Sequence, residues 1–219
     1  FVDNYVESKE ENRSADGAAI HAGWGNDRKI YMLNTIIWGS RSIQNGSDWA
    51  GVPANQLHVD VDDGTNHKFI VNYSNIENST GRNFDDTHIY DITPGFKDSD
   101  NSDFSLDDAS PLIGAGLSTW TEEGIVAPTK DMNKITRGTV PDIGAYENAL
   151  SSSTAPLPVT QIKGVPVTEG AKLTWSPNKV SLISSDNATD IKRYEVFQDK
   201  NGAFSVVDST TDTTAVIKG

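Results

Sequence analysis

Apolar and polar residues alternate along this chain in short bursts, each closed by a turn-forming residue. Residues 29–40 read KIYMLNTIIWGS, 56–64 QLHVDVDDG, 67–79 HKFIVNYSNIENS and 87–96 THIYDITPGF. Runs of this length, rich in β-branched and aromatic side chains and bounded by Gly, Asn, Asp or Pro, predict strands and turns. No stretch carries a convincing 3.6-residue period. The best candidate, Asp186 to Gln198, reads as a loop followed by an alternating strand. The pattern predicts an all-β chain.

The bursts also resemble one another. Asn34-Thr35-Ile36-Ile37-Trp38 lines up with Tyr73-Ser74-Asn75-Ile76-Glu77 further on, and more loosely with Asp3-Asn4-Tyr5-Val6-Glu7 before it. The two offsets differ, so the repeat is irregular. Irregular repeats of short strands predict a β-solenoid, whose coils stack like on like. Inward Ile and Val then form apolar ladders, and inward Asn can form hydrogen-bonded ones.

A sharp change follows Glu147. Residues 151–158, SSSTAPLP, lack periodicity, and their prolines favour extended chain. Strand patterns then resume: Leu173 and Trp175 alternate on one, and Ile191, Tyr194, Val196 and Phe197 belong to the next. The expected organisation is one β unit over 1–150, a linker over 151–158 and a second β unit over 159–219.

The order of segments carries a family resemblance. NTIIWGS, VNYSNIENS, then Pro94, Phe96 and Asp98, then Asp103, Phe104, Leu106, Ser110, Pro111, Ile113, Ala115 and Gly116, then Asp142 to Glu147 (DIGAYE) follow in turn. Together, over roughly Asn34 to Glu147, they resemble the C-terminal part of bacterial secreted right-handed parallel β-helix proteins. These are pectate-lyase-like, and several carry a choice-of-anchor Q region. Gly95 and Gly114 depart from the usual apolar residue and Asp. The resemblance implies C-terminal coils closed by a cap running from SPLIGAGL to DIGAYE. Residues 159–219 resemble a fibronectin type III domain, with Trp175 and Tyr194 in its core. Such modules run to roughly a hundred residues with seven strands, so this one reads as truncated, and the sequence as a window from a larger protein.

The 219 residues carry a formal net charge of −13 and no cysteine. An acidic balance of this size opposes binding to nucleic acid, and thiolate chemistry and disulfides are excluded. No apolar run approaches the ~20 residues a membrane-spanning helix needs, so no membrane insertion is expected.

Candidate chemistry is sparse. Asp60 and Asp62 alternate with valines, which places both carboxylates on one strand face about 7 Å apart. With Asp63 they could hold calcium, a hard cation served by oxygen ligands, or form a solvated turn. Asp98, Asp100 and Ser102 alternate as in an EF-hand loop, but the Gly and Glu that such a loop needs are missing. Asp98 and Asp103 fit turn-forming roles better. His21, His58, His67 and His88 form no ligand pair in the sequence and read as surface or turn residues. Trp24 and Trp49 lie in turn-rich segments, and an exposed Trp offers a flat platform to a sugar ring. Trp38 and Trp120 read as structural. Neither the Lys and Arg of a polysaccharide lyase base nor a spaced carboxylate pair for glycoside hydrolysis stands out.

Three functions follow as expectations. The first is a non-catalytic piece of a large secreted or cell-surface bacterial protein, serving display, adhesion or carbohydrate binding, with a polysaccharide or surface glycan as partner. The second is a polysaccharide lyase or glycoside hydrolase whose active site lies mainly upstream. The third is cargo of a secretion system, with a sorting signal or surface anchor downstream.

Overall fold

The computed structural model describes residues 2–8, 19–22, 29–44, 47–48, 57–59, 68–79, 88–184, 186–188 and 191–218. The chain is all-β and divides into two compact units, Phe1–Thr154 and Ala155–Gly219.

The first strands are β1 (Tyr5–Ser8), β2 (Ile20–Ala22), β3 (Lys29–Leu33), β4 (Ile36–Ile37), β5 (Arg41–Gln44), β6 (Ser47–Asp48), β7 (Leu57–Val59), β8 (Lys68–Asn72), β9 (Ser74–Ile76) and β10 (Ile89–Tyr90). Most pair in parallel with a strand far along the chain. Tyr5 lies opposite Arg41, Ile20 opposite Leu57, Lys29 opposite Lys68 and Ile37 opposite Ile76. Parallel register at this nearly constant spacing sets like on like: Ile30 on Phe69, Met32 on Val71, Ile37 on Ile76. Met32, Ile37, Phe69, Val71 and Ile76 form the core cluster, with Ile20, Ile30 and Ile89 packed against it. Each such side chain contributes about 1.5–3 kcal/mol on burial.

The alignment of the Asn34 segment with the Tyr73 segment is the register found, since β3 and β4 pair with β8 and β9 in that alignment. The looser alignment of Asp3 with Asn34 is not. Val2 bridges Trp38 instead, and Asp3 N donates to Trp38 O. Ladder hydrogen bonds set that register, and the resemblance between Asp3-Asn4 and Asn34-Thr35 plays no part in it.

Corners recur with the strands. Asn34 (φ 51°) separates β3 from β4, and Tyr73 (φ 45°) separates β8 from β9. Left-handed backbone at a single residue turns the chain sharply, and Asn is among the side chains that adopt it most readily.

Residues 91–154 are mostly turns, with two hairpins: β11 (Phe96–Asp98) with β12 (Asp103–Leu106), and β13 (Thr119–Trp120) with β14 (Ile125–Val126). Leu112, Ile113, Ala115 and Ile143 are buried. Ile143 N donates to Leu112 O and Gly116 N to Pro141 O, so SPLIGAGL and DIGAYE lie side by side. The pair meets the strands at Asn34. Gly144 N donates to Asn34 O, while the Asn34 amide donates to Leu117 O and accepts from Leu117 N. The closing stretch therefore bonds to the repeat that holds β3 and β4.

In the second unit β15 (Thr160–Val167), β16 (Gly170–Ser176) and β19 (Thr214–Lys218) form an antiparallel sheet, and β17 (Tyr194–Lys200) pairs with β18 (Ala203–Thr210). Asn201 (φ 56°) and Gly202 (φ 85°) both take left-handed backbone between β17 and β18, as a two-residue hairpin with an Asn-Gly turn requires. Trp175 and Tyr194 meet edge to face at 5.2 Å, both half-buried. Leu157 and Ala215 are buried, whereas Phe197, Phe204 and Val206 are 52%, 73% and 52% exposed. This unit buries little apolar surface.

Candidate functional site

Trp24, Trp49, Asp60, Asp62 and Asp63 lie outside the described residues. His21 and His58, expected at the surface or in turns, stand opposite one another in the β2–β7 ladder. That juxtaposition of residues so distant along the chain is invisible to a local motif search. His88 is exposed and stacks its ring on Tyr73 at 4.3 Å. Asp98 accepts from the Asn101 main-chain and side-chain nitrogens, and Asp103 accepts from Ser105 N and Oγ. The Ser105 hydroxyl, then its N–H, holds the Asp103 carboxyl below the usual carboxylate range. Both acids serve their own turns. Among the described residues no group of three or more His, Asp or Glu is placed to hold a metal ion.

A dense polar cluster is buried in the closing stretch. Asp142, 1% exposed, accepts from Gly114 N at 2.8 Å and Asn148 N at 2.6 Å. Burial pushes its carboxyl up to about 6, against the pull of those two N–H groups. Glu147 accepts from Gly138 N and Asp142 N, and its Oε2 is 3.0 Å from Arg137 Nη1. The Arg137 guanidinium also donates to Asp142 O and Gly144 O. Asp131 accepts from Ile135 N and Glu147 N. Burial there works to raise the carboxyl, but the N–H groups of Glu147, Ile135 and Asn133, with Arg137, hold it low. The carboxylates and the terminal nitrogens of Arg137 are all spent on main chain or on a partner, as buried charges must be, while the Arg137 Nε is buried without one. Asp142, Gly144 and Glu147 of the DIGAYE motif are thus the braces that fix turns 110–117 and 131–148. Sequence reasoning missed Asp131 and Arg137, which no local signal marks.

Two clefts flank this brace. One, of about 460 Å³, is lined by Leu33, Asn34, Ile125 to Pro128, Lys130 to Met132, Arg137, Gly144 and Ala145. The other, of about 530 Å³, is lined by Ile135, Thr136, Gly138 to Val140 and Glu147 to Ser151. Five of the exposed large apolar residues described in the first unit line these clefts. Val126 and Met132 are 67% and 72% exposed in the first cleft, and Ile135, Val140 and Leu150 line the second.

Tyr31 stands on β3 two residues before Leu33, which lines the first cleft. Strand alternation places Lys29, Tyr31 and Leu33 on the outward face of β3, with Ile30 and Met32 turned to the core. Tyr31 is 39% exposed, and the buried Trp120 meets it edge-on at 6.3 Å. Trp120 in turn pairs with Ile125, which lines the cleft. Alternation within residues 29–33 signals the outward Tyr31. Nothing local signals that Trp120, far along the chain, would brace it.

The chain matches no protein-family model, no curated protein and no solved structure. No helix among the described residues is long and apolar enough to cross a membrane.

Proposed function

We propose that Phe1–Thr154 forms closing coils of a right-handed parallel β-helix and Ala155–Gly219 a fibronectin type III-like spacer. They would belong to a large secreted or cell-surface bacterial protein that serves display, adhesion or carbohydrate binding, without catalysis in these residues. What supports the solenoid is the parallel, like-on-like register, which recurs at nearly the same spacing from β1 to β9. The antiparallel sheets of three and two strands support the spacer.

One observation carries the functional reading. The buried ionisable side chains beside the clefts, Asp131, Arg137, Asp142 and Glu147, are tied to main chain or to one another. A general acid or base must reach the proton it moves, and these groups are occupied as braces. An exposed aromatic and a partly apolar cleft, by contrast, are what holds a sugar ring.

Retention on immobilised polysaccharides, followed by assay for new reducing ends and unsaturated products, tests this. Retention without turnover is the expected result. Turnover that disappears on changing a residue of this chain overturns it. Repeating the binding with a chelator tests the calcium expected at Asp60, Asp62 and Asp63.

A further inference from the structure

We infer that the cleft between β3 and residues 125–132, together with Tyr31, is a binding site for a neutral oligosaccharide. This rests on the carbohydrate reading above and adds the place and the class of sugar.

Three independent features converge. The first is the aromatic platform. Tyr31 is held edge-on by a buried Trp120, so its ring keeps its orientation without a ligand, and ordering it on binding costs little. The apolar face of a pyranose ring packs on such a surface, leaving its hydroxyls for the rim.

The second is the cleft wall. Leu33, Val126 and Met132 line the 460 Å³ cleft, and Leu33 shares the outward face of β3 with Tyr31. Val126 and Met132 are the two most exposed of the large apolar residues described in this unit. A short oligosaccharide lying along β3 would cover them.

The third is a polar group on the same lining. Lys130 stands exposed there and makes no ion pair among the described residues, and sugar hydroxyls, which are acceptors as well as donors, suit it. Arg137 lines the cleft too, but its terminal nitrogens are bonded and its Nε is buried, so it serves as wall and not as donor.

Charge selects the class of sugar. Glu147 already neutralises Arg137, and Asp131 stands on the same lining. The chain as a whole carries −13, a field that opposes polyanions. Lys29 and Lys130 alone do not reverse it.

The test is calorimetric titration of the chain with linear neutral hexasaccharides of glucose, xylose and mannose, and with a uronate hexasaccharide of equal length. Tyr31→Ala and Met132→Ala, with folding checked by circular dichroism, are the variants. Binding of one neutral oligomer, weakened about tenfold by Tyr31→Ala and retained in Tyr31→Phe, supports the inference. Preference for the uronate overturns the neutral class. Neutral binding unchanged in both alanine variants overturns the location and leaves the broader carbohydrate reading standing. No binding to any oligomer by a folded chain removes both.

Discussion

The Asn75 carboxamide closes a two-bond ring with the main chain of Ile92: Nδ2 donates to Ile92 O at 2.8 Å, and Oδ1 accepts from Ile92 N at 3.1 Å. Asn34 does the same to Leu117. In both cases a side chain supplies the pairing that a neighbouring strand would otherwise give, and so ties an irregular segment to the ladders.

Asn75 is fully buried. Asn75→Ala therefore removes two hydrogen bonds and strands two main-chain groups, at a cost of about 2–3 kcal/mol. Amide exchange at Ile92 is the direct readout, and it should accelerate by one to two orders of magnitude. Unchanged protection at Ile92 would show that the ring contributes nothing.

Arg137 is the hub of the closing stretch. Arg137→Leu leaves the buried Glu147 carboxylate without its counter-charge and frees the carbonyls of Asp142 and Gly144. The expected loss is about 3–5 kcal/mol, seen as a lower midpoint in urea followed by the buried Trp120. The double variant Arg137→Leu with Glu147→Leu should recover part of that loss, because no lone charge is then buried.

The Asp142 carboxyl, about 6 when folded against 3.8 ordinarily, makes an unusual contribution to pH dependence. Its folded value is raised, so its contribution to stability is full below pH ~4 and is lost as the pH rises toward 6. About 3 kcal/mol is involved. Asp131, held low, acts oppositely and loses its contribution as the pH falls below its ordinary value. Urea midpoints at pH 4, 5, 6 and 7 should decline across that interval for the native chain and flatten in Asp142→Asn. A native profile already flat there would refute the assignment.

Gly116 sits where no side chain fits. A Cβ there would lie 2.7 Å from Pro141 O and 2.8 Å from Asn34 Oδ1. Gly116→Ala must push apart the very contact that anchors the closing stretch to Asn34. It should cost about 1–3 kcal/mol and expose the Leu117 amide to exchange. Gly124→Ala is the contrast: its positive φ is strained, but nothing lies within 4 Å of the added carbon, so Leu117 should stay protected.

Much of this was legible in residue order. Short apolar bursts closed by turn residues located strands within 29–40 and 67–79, and the alternation of Leu173 with Trp175 marked the strand at 170–176, because a half-buried strand must turn every second side chain to the core. The likeness of the Asn34 and Tyr73 segments marked the register of β3 on β8. The candidate site was less legible. The sequence reading did not single out Tyr31, because the local signal for a sugar platform, an aromatic in a turn-rich segment, pointed to Trp24 and Trp49.

What the sequence by itself determined is the all-β character, the change of pattern after Glu147 and the alternation of Leu173 with Trp175, since these depend on local sterics and on apolar spacing. Tertiary structure alone decided the register of Val2 with Trp38, the return of residues 110–147 onto Asn34, the Trp120 brace beneath Tyr31 and the Arg137 hub. Most of those are contacts between residues far apart along the chain. Ladder bonds and buried charge pairing select them from many partners of equal local merit, and no period along the chain encodes that choice.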